Sequence, residues 1–222
     1  MNLIKSTSTF GFFTLISRIL GYFRDLLIAI YLGSGPVADA FFVAFRIPNT
    51  FRRLFSEGTF NAAFVPSYSS ELVSGKEKAQ QFANKVFNLL LISLLLIVLI
   101  IEIFMPSFVF IIAPGFTENS EKLDLTILLT RITFPFLFFI CLSSFFSAIL
   151  NSHNKFAISA AAPIILNIFL ILTLLFQNYL NDQLVFYLSY AVTFAGLVQL
   201  ILLFFFIRKY YFPKISLNFK ID

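Results

Sequence analysis

VFNLLLISLLLIVLIIEIF, residues 86–104, holds a single charged side chain, Glu102, in a run built from Leu, Ile, Val and Phe. A helix rising about 1.5 Å per residue needs about 20 residues to cross the roughly 30 Å hydrocarbon core of a bilayer, and this run has that length and that chemistry. Similar runs recur on both sides of it. Six segments qualify as spans, at about 8–33, 37–68, 84–112, 124–150, 156–178 and 184–207. Turn compositions divide them: GSGP at 33–36, SGKEK at 74–78, APGFTENSEK at 113–122, NSHNK at 151–155 and QNYLND at 177–182. The whole chain of 222 residues is 59% hydrophobic and 12% charged, with a mean hydropathy of +0.91. A soluble domain is about half apolar and about one quarter charged, so the fold class predicted is an all-α integral membrane protein, a bundle of six transmembrane helices.

The net charge of +5 comes from 16 Lys and Arg against 11 Asp and Glu. In a soluble protein that surplus would suggest nucleic acid; here its placement orients the bundle, and no nucleic-acid partner is expected. With the N-terminus inside, Lys5, Lys76, Lys78, Lys85, Lys155, Arg208, Lys209, Lys214 and Lys220 all fall on the inner side, while Lys122 alone falls outside. The positive-inside rule then puts both termini in the cytoplasm. The first apolar stretch, interrupted by Arg18, Arg24 and Asp25 and followed by no small-residue cleavage site, reads as a retained helix and not a signal peptide. Residues 1–208 form the helical bundle on this reading, and 209–222 a cytoplasmic or interfacial tail or connector. Cys141, the single cysteine, allows no intrachain disulfide and no thiolate metal site.

Six arginines remain inside the spans: Arg18, Arg24, Arg46, Arg52, Arg53 and Arg131. Each costs at least about 2.5 kcal/mol at a helix centre facing lipid, so five of them in the first two helices imply a polar cavity lined by that hairpin. Counting outward from the 33–36 turn, Arg24 and Arg46 form a rung about 16 Å down, and Arg18 and Arg52 another about 25 Å down. Ser17, Gly21 and Arg24 share one helical stripe, with Arg18 and Asp25 on another about 100° away. Asp39, Arg46, Arg53 and Glu57 follow one stripe of the second helix, and Arg53 and Glu57 can pair at i, i+4. Asp25 can orient a neighbouring arginine. Asp25, Asp39 and Glu57 cannot neutralise five cations; the two positive charges left over suit a diphosphate, and Arg18, Arg24 and Arg52 are the free cations expected to bind it. Arg131 reads as structural, His153 as a solvated loop residue, and Asn167 as a structural polar contact between helices. The titratable groups show neither a metal-ligand spacing nor a His-centred catalytic group, so a transport role is expected over an enzyme, with no metal or cofactor. Coupling to an ion or to the membrane potential is compatible with this composition.

The hairpin segments SRILGYFRD at 17–25 and DAFFVAFRIPNTFRRLFSEGTFNAAFVPSY at 39–68 resemble the N-terminal part of the MurJ/MviN family of lipid II flippases. APGF at 113–116, ITFPF at 132–136, AILNSHNKF at 148–156, AAP at 161–163 and Asn167 fit the same family in order. The resemblance implies one lobe of a two-lobe exporter of the multidrug/oligosaccharidyl-lipid/polysaccharide superfamily, rocking about a central cavity in the bacterial inner membrane. It implies an undecaprenyl-pyrophosphate-linked peptidoglycan precursor as substrate, membrane lipids as surroundings and a missing C-terminal lobe as partner. It also implies that Arg18, Arg24 and Arg52 are cavity arginines, that Asp25 anchors them, and that Asp39, Arg53 and Glu57 matter for function. The alternatives are an exporter of another polyprenyl-pyrophosphate-linked glycan and a scaffold or half-transporter subunit.

Overall fold

The computed structural model describes residues 3–57, 59–180 and 183–215, with side chains described at 8–51, 60–180 and 183–215. Every regular element among these residues is helical: α1 Leu3–Leu32, α2 Pro36–Glu57, α3 Thr59–Ser74, α4 Lys76–Ile103, α5 Met105–Ile112, α6 Ser120–Thr133, α7 Phe136–Ser152, α8 Phe156–Ala161, α9 Ile164–Leu175, α10 Gln177–Leu180 and α11 Leu184–Ile207, with a 3-10 turn at Pro114–Phe116. Four stretches are long and apolar enough to cross a membrane: Lys76–Ile103, Ser120–Ser152, Phe156–Leu175 and Leu184–Ile207. They correspond to the last four expected spans, while α1 and α2 carry the arginines. Several boundaries differ from expectation. The span expected at 37–68 is two helices, α2 ending at Glu57 and α3 starting at Thr59, and those expected at 124–150 and 156–178 are divided at residues 134–135 and 162–163. The loop at 74–78 shrinks to Gly75, whose φ of 135° suits glycine, and KEKAQQ continues as helix from Lys76. The span expected at 84–112 breaks at Phe104, because Pro106 in the first turn of α5 cannot continue α4.

The helices sort into two groups around α11. α1 rests on α8 and α9, whereas α2 rests on α6, α7 and α3; α11 packs against α7, α9 and α6 and holds the groups together. Gly196 permits the closest of these approaches: a Cβ there would lie 2.6 Å from Phe136 Cδ2 and 3.2 Å from Phe139 Cβ. On the other side of α7, Phe64 of α3 sits with its ring centroid 5.1 Å from that of Phe145 and 5.8 Å from that of Phe82 of α4. These rings make an apolar knot that fixes α3, α4 and α7 together.

Proline breaks in a membrane bundle leave carbonyls that lipid cannot satisfy. Pro48 has no N–H to offer the Ala44 carbonyl one turn earlier, and the Thr133 hydroxyl of α6 donates to that carbonyl at 3.0 Å. Where α6 ends before Pro135, the Ile132 carbonyl accepts from the Thr193 hydroxyl of α11. Thr126, Thr130 and Thr133 are fully buried on α6, and the first two bond the carbonyls one turn back, at Lys122 and Thr126, at 2.7 Å each.

The end of the bundle that carries most cations is latched. His153, expected as a solvated loop residue, is half-buried: its Nε2 lies 3.2 Å from the Tyr68 hydroxyl and its ring stacks on Tyr210 at 4.5 Å. The chain after α11 turns back onto α4. The Tyr211 hydroxyl donates to Asn84 Oδ1 at 2.7 Å, the Lys214 amide donates to the same oxygen at 3.1 Å, and Asn88 Nδ2 donates to the Lys214 carbonyl at 3.0 Å. Tyr211 is 1% exposed, so the first residues of the segment read as a tail are packed against the bundle. Burial, then the nearby Lys76 charge, hold the His153 imidazole below its usual 6.5.

Two outcomes follow from this packing. Gly196→Ala overpacks the α7 contact and lowers stability by about 1–3 kcal/mol, read as earlier thermal unfolding in detergent. Between 6.5 and the lower folded-state value of His153 the unfolded chain binds more protons, so the latch's contribution is present above 6.5 and is lost as pH falls through that window. His153→Gln removes this part of the acid sensitivity; an unchanged pH dependence of the melting temperature in that variant refutes the assignment.

Candidate functional site

Because α1 and α2 lean on different neighbours, a cavity of about 610 Å³ opens between them. On α1 the positions facing it are Phe10, Thr14, Ser17, Gly21 and Arg24, which recur every three or four residues and so share one helix face, with Arg18 beside them. Asn49 of α2 and Asn61 of α3 close a second side. Ser147 and Asn151 of α7, Ser159 of α8, Asn167 of α9 and Gln199 of α11 complete the wall. The surface is thus cationic on α1 and rich in carboxamides and hydroxyls elsewhere.

Arg24 is the most constrained charge. Its Nε and Nη2 donate to Asp25 Oδ1 at 2.9 and 2.7 Å, and its Nη1 donates to Asn167 Oδ1 at 2.8 Å. The guanidinium carbon lies 5.5 Å from the centroid of the Phe45 ring, which brings α2 against α1 at this level. Asn167 Nδ2 in turn donates to the Ser17 carbonyl at 2.9 Å. The Arg24 side chain is 14% exposed and that of Asp25 64%. Asp25 is therefore largely uncovered by this chain while it orients a mostly buried cation. Three of the five guanidinium N–H groups are engaged in these bonds, and two remain for a ligand. Gly21 leaves room: a Cβ there would stand 3.8 Å from Asn167 Nδ2.

The other expected site residues are placed as follows. Arg18 is exposed on the cavity wall, and no described residue forms a hydrogen bond or ion pair with it. Ser17 contributes its carbonyl to the Arg24 support and lies on the wall. Arg46 is exposed one turn from Asn49 and is not part of the lining, so the rung expected from Arg24 and Arg46 is represented in the cavity by Arg24. Asp39 is held away from the hairpin arginines by Lys122, whose Nζ lies 2.6 Å from Asp39 Oδ2 and 3.9 Å from the centroid of the Phe116 ring. The side chains of Arg52, Arg53 and Glu57 lie outside the described residues, and with them the expected Arg53–Glu57 pair. Arg131 is exposed on α6, off the lining, within electrostatic reach of Glu102. Among the described residues no three His, Cys, Asp or Glu side chains converge as metal ligands.

Sequence reasoning passed over the polar wall opposite the arginines. Gln199 carried a readable signal, a carboxamide in the middle of the apolar run 184–207, where an unsatisfied polar group is expensive. Asn151, Ser147 and Ser159 gave none, since they sit at a helix end or in turn-like sequence.

The model of the family "Lipid II flippase MurJ" matches residues 28–222. A relative from Rhizobium tropici named "Probable lipid II flippase MurJ" is 43% identical over 231 residues, an alignment covering 99% of this chain and 43% of the relative. Another of that name from Rickettsia prowazekii (strain Madrid E) is 40% identical, over 94% of this chain and 41% of the relative. A solved structure, "Lipid II flippase MurJ, inward closed conformation", superposes with a TM-score of 0.76 at 32% identity, over 95% of this chain and 43% of that one. The chain thus spans about two fifths of the length of the relatives it matches.

Asn167 generates a direct expectation. Asn167→Leu leaves both the Arg24 N–H and the Ser17 carbonyl without their partner and costs about 1–3 kcal/mol of stability, measured as thermal unfolding in detergent. Asn167→Asp keeps the acceptor for Arg24 and loses less. Identical melting of the Leu variant and the wild type refutes the anchoring role.

Proposed function

The chain belongs to the lipid II flippase MurJ family, and from that premise we propose that it forms the arginine-bearing wall of a flippase for a lipid-linked peptidoglycan precursor in the bacterial inner membrane. The observation that carries the proposal is Arg24, a cation placed in a polar cavity and held in one orientation by Asp25 and Asn167 with N–H groups to spare. A pyrophosphate is the ligand that such a cation and a neighbouring unpaired Arg18 suit best, because both its phosphoryl groups accept charge-assisted hydrogen bonds. Arg52, on the arm of α2 beyond Asn49, is assigned the third contact. Ser17 and Asp25 support this group, while Asp39, Arg46, Arg53 and Glu57 are assigned to gating.

The anchoring of Arg24 lowers the cost of binding. Its rotamer is fixed before the ligand arrives, so less side-chain freedom is lost on contact. Movement of a lipid headgroup between leaflets then requires two states of different affinity. In the reading proposed here a second helical bundle completes the cavity, brings further groups to the pyrophosphate on the cytoplasmic side, and parts from the arginines on the periplasmic side. Both chain termini are cytoplasmic in this orientation, in line with the cation distribution.

The test is growth of a flippase-depleted strain supplied with this chain joined to the second bundle of a relative. Arg18→Ala, Arg24→Ala and Arg52→Ala each abolish or strongly slow growth at wild-type membrane abundance. Normal growth with all three variants removes the assigned roles, and failure of the unsubstituted fusion to flip precursor in vesicles removes the function.

A further inference from the structure

Gln199 is a buried carboxamide on the cavity wall. It is 4% exposed, it lies in the middle of α11, and no described residue hydrogen-bonds to its carboxamide, which opens onto the cavity. Its neighbours on the buried face of α11 are satisfied otherwise: Ser189 donates to the Val185 carbonyl and Thr193 to that of Ile132. A primary amide this deep, left without a partner, costs about 1–3 kcal/mol unless something in the cavity supplies one. Other residues lining the same cavity have matching chemistry. Ser159 Oγ donates to Asn151 Oδ1 at 2.5 Å, which fixes that carboxamide and leaves its NH₂ without a described acceptor, and Ser147 lies one turn before Asn151 on α7.

These lining residues carry no charge, so they cannot neutralise a phosphate. Carboxamides present a donor and an acceptor side by side, and hydroxyls do the same on one atom. Such a set fits vicinal hydroxyl and acetamido groups, which are neutral and also carry both functions. The cationic α1 wall and this neutral wall bound a single cavity, as a phosphate and the glycosyl group attached to it would require.

We propose that Gln199, with Asn151 and Ser147, forms a glycosyl subsite that recognises the sugar linked to the pyrophosphate. The inference rests on the pyrophosphate reading given above and adds to it the residues that distinguish a glycosylated carrier from a bare one. Gln199 donates its N–H groups to sugar hydroxyl or acetamido oxygens and accepts a sugar O–H.

The experiment compares two probes on the chain in lipid nanodiscs: undecaprenyl pyrophosphate, which has no sugar, and undecaprenyl-pyrophosphoryl-N-acetylglucosamine. Gln199→Leu keeps the side-chain volume and removes both hydrogen-bonding functions; Gln199→Ala serves as a second variant. The expected result is a loss of affinity of about tenfold for the sugar-bearing probe and a change of less than about twofold for the bare one, whose binding also reports an intact fold. Unchanged affinity for both probes means that the carboxamide faces only water and overturns the subsite. Equal loss for both overturns it as well, by making Gln199 a packing residue of the whole cavity. Failure of the unsubstituted chain to bind either probe overturns the pyrophosphate reading itself, and the subsite with it.

Discussion

A helix that bends inside a membrane must find a new partner for every carbonyl the bend releases, since hydrocarbon offers none. The arrangement of this bundle depends on how that demand is met at Pro48 and at the end of α6. The Ala44 carbonyl is closed by Thr133 of α6, and the Ile132 carbonyl, at the end of that same helix, is closed by Thr193 of α11. α6 is therefore stitched to α2 on one side, where Thr133 reaches the carbonyl that Pro48 leaves open, and to α11 on the other, where Thr193 reaches the last turn of α6.

The same economy governs the charges. Arg24 is tolerable in the membrane because a carboxylate, a carboxamide and an aromatic face surround it. Asp39 and Lys122 apply the rule at the start of α2, where a cation in the first turn of α6 and an acid in the first turn of α2 meet beside Phe116. Charge balance assessed along the hairpin alone misses this second pairing, because Lys122 is 83 residues away in sequence.

Apolar run length made the helical membrane class legible, and the cost of intramembrane arginine made a polar cavity legible at α1. The stripe of Ser17, Gly21 and Arg24 does face the cavity together, as 3.6-residue periodicity requires. What could not be read was anything that depends on which helices become neighbours. His153 looks solvated in NSHNK until α3 and the turn after α11 bring Tyr68 and Tyr210 to it. Asn167 looks like a generic interhelical contact until its partner proves to be Arg24. Periodicity gives the face of a helix, but the tertiary arrangement decides what that face meets.

The Asn84 and Asn88 clamp on Tyr211 and Lys214 has a mechanical meaning. A chain leaving a bundle through a slack linker transmits tension and nothing else. Here the departing strand is pinned at both its side chain and its backbone to one turn of α4, so its heading is inherited from that helix. Any tilt of α4 is carried to Tyr211 and Lys214, with the helix as the lever and the paired asparagines as its grip.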